Sequence, residues 1–207
     1  GTPGYWQWIG SLFSTLEVAP FFAMVVFAIQ MVLKGGRNHP NKAALLWSVG
    51  CAVMAFLGAG VWGFLHTLSA VNYYTHGTQV TAAHGHLAFF GAYAMINLAI
   101  FSYAMPHLRG VAPYHQALNK LSFWLMCGGM TVMTFALTFA GVVQVHLQRV
   151  LGMDYMSVQD QIAPFFWVRL AAGVAVFIGA GLYLYALLGP VPAAKKAPMG
   201  GAVQPAE

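Results

Sequence analysis

The sequence predicts an all-α fold, a polytopic membrane helix bundle of five transmembrane helices. Only 6% of the 207 residues are charged and 59% are hydrophobic, whereas a soluble domain carries about 25% charged residues. Five apolar runs, at about 8–33, 43–68, 81–105, 120–148 and 164–189, are each long enough to cross about 30 Å of hydrocarbon.

The first run holds Glu17, with Pro20 three positions later. No other carboxylate falls inside a run. A charge in hydrocarbon costs several kcal/mol, so such a residue faces a cavity, a partner or a proton path. Pro20 has no N–H and frees the Leu16 carbonyl, which beside an acid suits a small hydrated pocket. The alternative is an interfacial carboxylate near the outer helix end. The second run contains FLGAGVWGF, where Gly58 and Gly60 permit close approach, and ends at His66 and Thr67. The third opens on His84-Gly85-His86, followed by Phe89 and Phe90, which are positioned to pack against a flat macrocycle.

The fourth run carries MCGGM, with Gly128 and Gly129, and closes on His146 and Gln148, which receive no role. The connection at 149–163 has room for a short surface helix. Arg169 lies one turn into the fifth run, placed to snorkel outward or to pair with Asp160 or Asp154. Cys51 and Cys127 sit in apolar runs without CxxC or CxxCH spacing and read as packing residues. The last residues, VPAAKKAPMGGAVQPAE, are rich in Pro, Ala and Gly and read as a disordered tail over 190–207. The opening GTPGYWQWIG starts mid-pattern and reads as a portion of a longer protein or one chain of a divided one.

Charge sets the topology. The nine Lys and Arg against four Asp and Glu form no basic face, so nucleic acid is not a partner. They cluster instead in short gaps. Lys34, Arg37 and Lys42 follow the first run, Arg109 and Lys120 flank the third connection with His107 and His115, and Lys195 and Lys196 follow the fifth. The gap at 69–80 has no Lys or Arg, and the fourth gap mixes Arg149 with Asp154 and Asp160. The positive-inside rule then puts the N-terminus outside and the C-terminus in the cytoplasm. His39, His107 and His115 fall at the cytoplasmic end. Trp6, Trp8, Tyr73 and Tyr74 fall at outer boundaries, where aromatic rings favour the interface.

The histidine pair carries the function. Residues two apart on a helix project about 200° apart, so His84 and His86 suit two metal centres on opposite sides of one helix rather than one ion. Histidine is the commonest neutral metal ligand and a usual axial ligand of b-type haem. His66, His76, His84 and His86 lie within 21 residues, all toward the outer end. With Asn72, Tyr73, Tyr74 and Thr75 they form a polar cap able to meet haem propionates.

The stretch GAGVWGFLHTLSAVNYYTHGTQVTAAHGHLAFFGAYAM, with LEVAPFFAM upstream and FSYAMPHLRG downstream, resembles the large catalytic subunits of bacterial nitric oxide reductases, in the haem–copper oxidase superfamily. The resemblance spans about residues 5–189 and corresponds to the last five of that family's twelve transmembrane helices. It implies that His84 binds the iron of the active-site haem b3 and His86 that of the low-spin haem b. It makes Glu17 a catalytic acid beside a non-haem iron, FeB, with Ser14 and Thr67 as pocket neighbours and Asn72 and His76 as cofactor contacts. It also admits a calcium ion bridging haem propionates. The implied reaction reduces two NO to N₂O and water with electrons arriving through haem b, from a cytochrome c subunit or quinol. The family's three FeB histidines and second haem b ligand lie on earlier helices, so the remaining N-terminal part of the subunit is an expected partner. Residues 1–189 then form a haem-binding bundle that does not catalyse alone. Competing readings are an oxygen-reducing oxidase subunit with copper for FeB, a non-catalytic haem b electron-transfer subunit, and a transporter with intramembrane histidines.

Overall fold

The computed structural model describes residues 3–35 and 38–193. Among them are five helices long and apolar enough to cross a membrane: α1 (Gly4–Lys34), α2 (Lys42–Thr67), α3 (Gln79–Leu108), α4 (Gln116–Val150) and α5 (Tyr155–Leu188). Four of them match the sequence reading to within a few residues. The fifth does not. No separate surface helix occupies 149–163; residues 155–163 are the first turns of α5, which runs unbroken through Pro164. Asp154 starts it, its carboxylate accepting the Ser157 N–H at 3.1 Å.

That correction moves Arg169. It sits 14 residues into a 34-residue helix, about four turns and ~21 Å from the start. Asp160 is nine residues earlier, ~13 Å along the axis and on the opposite face; Asp154 is ~22 Å away. Neither expected ion pair can form along one straight helix.

Helix starts follow local chemistry. Asn41 caps α2 by accepting the Ala44 N–H at 3.1 Å, and its amide donates to the Ser102 carbonyl on α3 at 2.8 Å. Thr78 caps α3 by accepting the Val80 N–H at 3.3 Å. An Asn or Thr oxygen at this position satisfies one of the orphan donors of a helix start. Lys34, Lys42, Arg109 and Lys120 gather at one end of the antiparallel bundle through the chain order of the helices, opposite the short helix Ser69–Thr75 that joins α2 to α3.

The core lies between α2, α3, α4 and α5. Trp47 is fully buried, meeting Phe123 and Tyr183 edge to face at 5.1 and 5.5 Å. Its indole N–H donates to Asn119 Oδ1 at 2.7 Å. The Asn119 amide donates to Ser102 Oγ at 3.0 Å, and Ser102 Oγ donates to the Tyr183 hydroxyl at 3.2 Å. These polar side chains tie four helices together where lipid offers no alternative partners. Cys51 and Cys127 are buried free thiols in the same core, as their apolar settings predict. By contrast, α1 has no buried residue.

The other end of α5 is fastened by the α3–α4 turn. Arg109 donates to the carbonyls of Gly189 at 2.8 Å and Leu187 at 3.3 Å, and to the Tyr114 hydroxyl at 2.9 Å. His115, in a left-handed conformation with φ 45°, donates from Nε2 to the Pro190 carbonyl at 2.8 Å. The expected tail therefore begins tethered at Pro190, and its residues 194–207 lie outside the described residues.

Candidate haem-binding site

His84 and His86 lie in the second turn of α3 and their rings leave the helix on different sides. His84 reaches across to α2, where Nδ1 is 2.9 Å from the Gly58 carbonyl. His86 turns back onto its own helix, with Nδ1 2.7 Å from the Ala82 carbonyl. A carbonyl only accepts, so each Nδ1 carries the proton and donates. In the neutral ring that leaves Nε2 with its lone pair, the tautomer that metal-ligating histidines adopt.

The His84 contact depends on how closely α2 and α3 approach. Gly58 lies in a π-helical turn, Phe56–Trp62. A Cβ there would fall 2.6 Å from the Ala88 nitrogen and 2.7 Å from the Leu87 oxygen. One turn away Gly91, in a second π-helical turn (Phe89–Ala94), would meet the backbone of Met54 and Ala55 in the same way. Such wide turns recur at functional sites. The close-packing role expected for Gly58 holds. The same expectation holds for Gly129, whose Cβ would strike Ala172, and fails for Gly128, which faces open space.

His84 opens onto a cavity of ≈ 980 Å³ enclosed by α1, α2, the Ser69–Thr75 helix and α3. Glu17, Ser14, Thr67, Asn72 and His76, the other residues singled out in the sequence, all line it, and His86 does not. The turn of about 200° between the two histidines thus puts one on the cavity and one off it. Glu17 sits where α1 is interrupted: its N–H bonds the Ser14 carbonyl at 3.2 Å, and helix geometry resumes at Val18. The acid faces a large shared cavity rather than the small pocket expected beside Pro20. It is exposed within the described residues. Hydroxyls join α1 to the cavity end of α2 and the short helix beyond it, Thr15 to Thr67 at 3.3 Å and Ser11 to Ser69 at 3.5 Å.

His66, expected in the polar cap, lines the cavity, and Arg149 joins it with no local signal in the sequence. His66 stacks on His84, ring centroids 5.0 Å apart at 24°; its Nδ1 donates to the Trp62 carbonyl at 2.8 Å. Arg149, read only as a loop charge, reaches the wall. Phe89 lines the cavity as expected, whereas Phe90 is buried in the protein core and unavailable to a macrocycle. Tyr73 also lines the cavity; Tyr74 does not, and the Thr75 hydroxyl is taken up by the Val71 carbonyl at 2.9 Å. His39, His107, His115 and His146 are not in the wall.

These residues fit a haem. His84 offers a correctly tautomerised Nε2 at the edge of a large cavity, and Asn72, His76 and Arg149 supply donors for carboxylates. His66 Nε2 is buried with no hydrogen-bond partner among the described residues, and buried nitrogens of this kind are normally satisfied. A polar group in the cavity would satisfy it. His86 offers the same Nε2 tautomer on the other flank. Fit to a non-haem iron is partial: Glu17 could supply one carboxylate, and no three His, Cys, Asp or Glu side chains converge among the described residues.

The cytochrome c and quinol oxidase polypeptide I family model matches residues 1–175. A nitric oxide reductase subunit of Stutzerimonas stutzeri is 56% identical over 208 aligned positions, which cover 96% of this chain and 44% of the relative. The cytochrome c oxidase subunit 1 homolog of Agrobacterium tumefaciens (strain T37) is 26% identical across 88% of this chain and 35% of its own length. The chain thus spans less than half of either relative. A cryo-EM structure of a heme-copper terminal oxidase dimer superposes with a TM-score of 0.68 over 91% of this chain and 37% of that one, at 20% identity, a likeness of fold. On the extent of the family match and the five apolar helices that carry it, this chain is a membrane protein belonging to the cytochrome c and quinol oxidase polypeptide I family.

Proposed function

We propose that residues 1–189 are the haem-binding part of a membrane nitric oxide reductase, in which His84 holds the active-site haem b3 and His86 the low-spin haem b. One observation carries this: two histidines on one helix, each with Nδ1 fixed on a carbonyl and Nε2 free, one on a large polar-walled cavity and one off it. The 56% identical relative, named as a nitric oxide reductase, supports NO as substrate. When bound, the two haems supply electron entry and the iron at which NO reacts. The chain's own part is to bind, orient and deliver protons. Gly58 and Ala82 fix the ligand rings; Asn72, His76 and Arg149 hold anionic groups at the cavity wall; Glu17, with Ser14 and Thr67 near it, is the acid that holds a proton beside the reacting oxygen.

The remaining histidines of the iron site come from the part of the protein outside these residues, and electrons from a cytochrome c subunit or quinol. The enzyme works in the inner-membrane respiratory chain of denitrification, with the N-terminus on the periplasmic side and residues 190–207 as a cytoplasmic tail.

An oxygen-reducing oxidase is the second reading, since a cytochrome c oxidase subunit 1 homolog is also a relative. Its lower identity and the carboxylate on the cavity favour iron, because oxygen ligands suit harder ions than copper. The test uses the full protein with its partners. His84→Gly should lose the CO-binding haem and keep the six-coordinate one, His86→Gly the reverse, and added imidazole should restore each. Metal analysis should give non-haem iron. A CO-binding haem that survives His84→Gly, or one copper per active site, refutes the proposal.

A further inference from the structure

A second cavity, of ≈ 580 Å³, opens on the outer flank of α4 and α5 and shares no residue with the first. Its walls are Met133, Phe166, Trp167, Leu170, Val174 and Phe177, with Gly173 as floor and Arg169 at one end. Leu170, Val174 and Phe177 are 57%, 50% and 80% exposed. Arg169 is exposed as well, and helix geometry puts both nearby carboxylates of α5 out of its reach.

The level of Arg169 in the membrane follows from the other end of α5. Arg109 and His115 hold the carbonyls at 187–190, which marks one polar boundary. Arg169 is 19 residues from Leu188, ~29 Å along the helix, and the hydrocarbon is about 30 Å thick. Arg169 is therefore in the far half of the span, from where its long side chain can snorkel to the opposite headgroups. Trp167 beside it is 71% exposed and Tyr185 at the other boundary 54% exposed, the two aromatic belts of one spanning helix. From Arg169 the groove runs toward the bilayer centre, past Gly173 to Phe177, for ~12 Å.

We propose that this groove binds one anionic phospholipid, its phosphate on the Arg169 guanidinium and an acyl chain lying over Gly173 between Leu170 and Phe177. A cation at headgroup depth above an apolar channel complements a phosphodiester joined to a hydrocarbon chain. A neutral zwitterionic lipid would gain the channel without the net charge attraction. A guanidinium also forks onto two phosphate oxygens, which an amide cannot reproduce.

The test reads lipid occupancy, not turnover. The complete complex, stripped of lipid in neutral detergent, is titrated with phosphatidylglycerol or phosphatidylcholine and followed by native mass spectrometry. The unaltered protein should bind one phosphatidylglycerol about five- to tenfold more tightly than phosphatidylcholine. Arg169→Gln should remove that preference while keeping the wild-type haem spectrum and melting temperature. Gly173→Leu, which fills the floor where the nearest neighbour of a Cβ is Met133 Cε at 3.7 Å, should weaken both lipids alike. Equal affinity of the unaltered protein for the two lipids overturns the proposal without any mutation. So does a photo-crosslinker at Trp167 that captures a protein chain instead of lipid in native membranes.

Discussion

Gly58→Ala separates the packing of α2 on α3 from the chemistry of the cavity. An alanine Cβ would lie 2.6 Å from the Ala88 nitrogen and the Leu87 carbonyl carbon. These are backbone atoms of a packed helix, so they cannot swing aside as a side chain would. The helices must part by about 0.8 Å to reach the 3.4 Å of ordinary contact. Overpacking of this kind costs about 1–3 kcal/mol. The same movement stretches the 2.9 Å bond from His84 to the Gly58 carbonyl, losing about 1 kcal/mol. Alanine recovers about 1 kcal/mol as the better helix former, which leaves a net loss on the order of 1–3 kcal/mol. His86 is tied to Ala82 within its own helix and should not feel the change. The assay is thermal melting of the complete complex together with CO-difference spectra. Gly58→Ala should melt lower and alter the CO-binding haem while sparing the six-coordinate one. Gly63→Ala, whose Cβ would sit 3.4 Å from His84 Cε1, should have a smaller effect, and Gly128→Ala, with open space around it, none or a slight gain. If Gly58→Ala matches Gly128→Ala in both melting and spectrum, the reasoning fails.

Arg109→Ala should fray the end of α5, because three carbonyls lose a shared donor. Faster amide exchange over residues 184–189 would report it. Arg109→Lys should recover less than half of the protection, since one ammonium cannot fork across several carbonyls; full recovery would mean that charge alone holds the cap. At the other end of the helix, hydrogen bonds from Ser157 hold the Asp154 carboxyl below the usual carboxylate range. A carboxyl lowered in the folded state stabilises it above the unfolded pKa and loses that contribution as pH falls through the folded value. Amide exchange over 155–158 should therefore be pH-insensitive in protection factor down to the ordinary range of carboxylate titration at about pH 4, and lose protection below it. Asp154→Asn should remove the dependence.

Five helices were legible because each apolar run is long and uninterrupted. The opposite placement of His84 and His86 needed only helical geometry. The start of α5 was hidden by composition: Asp154, Gln159, Asp160 and Gln161 lower the hydropathy at its start, so the helix reads as beginning at Pro164. Misplacing that start also misplaced Arg169 and suggested ion pairs it cannot make. The carbonyl that orients His84, the stacking of His66 and the arrival of Arg149 are contacts across 18 to 65 positions of sequence, and no local pattern encodes them. The burial of Phe90 beside an exposed Phe89 depends on which side of α3 faces α2, which a π-helical turn shifts.

The two glycine contacts between α2 and α3 act as a pair of pins. Gly58 receives the backbone of Leu87 and Ala88, and one turn along, Met54 and Ala55 receive Gly91. Because the helices are antiparallel, a single pin would still allow them to pivot, and a single groove would still allow them to slide. Two pins a turn apart block both movements. Any relative movement of α2 and α3 must then pass through side chains or bend a helix. The histidine helix and its partner are a fixed chassis on which the cavity is built.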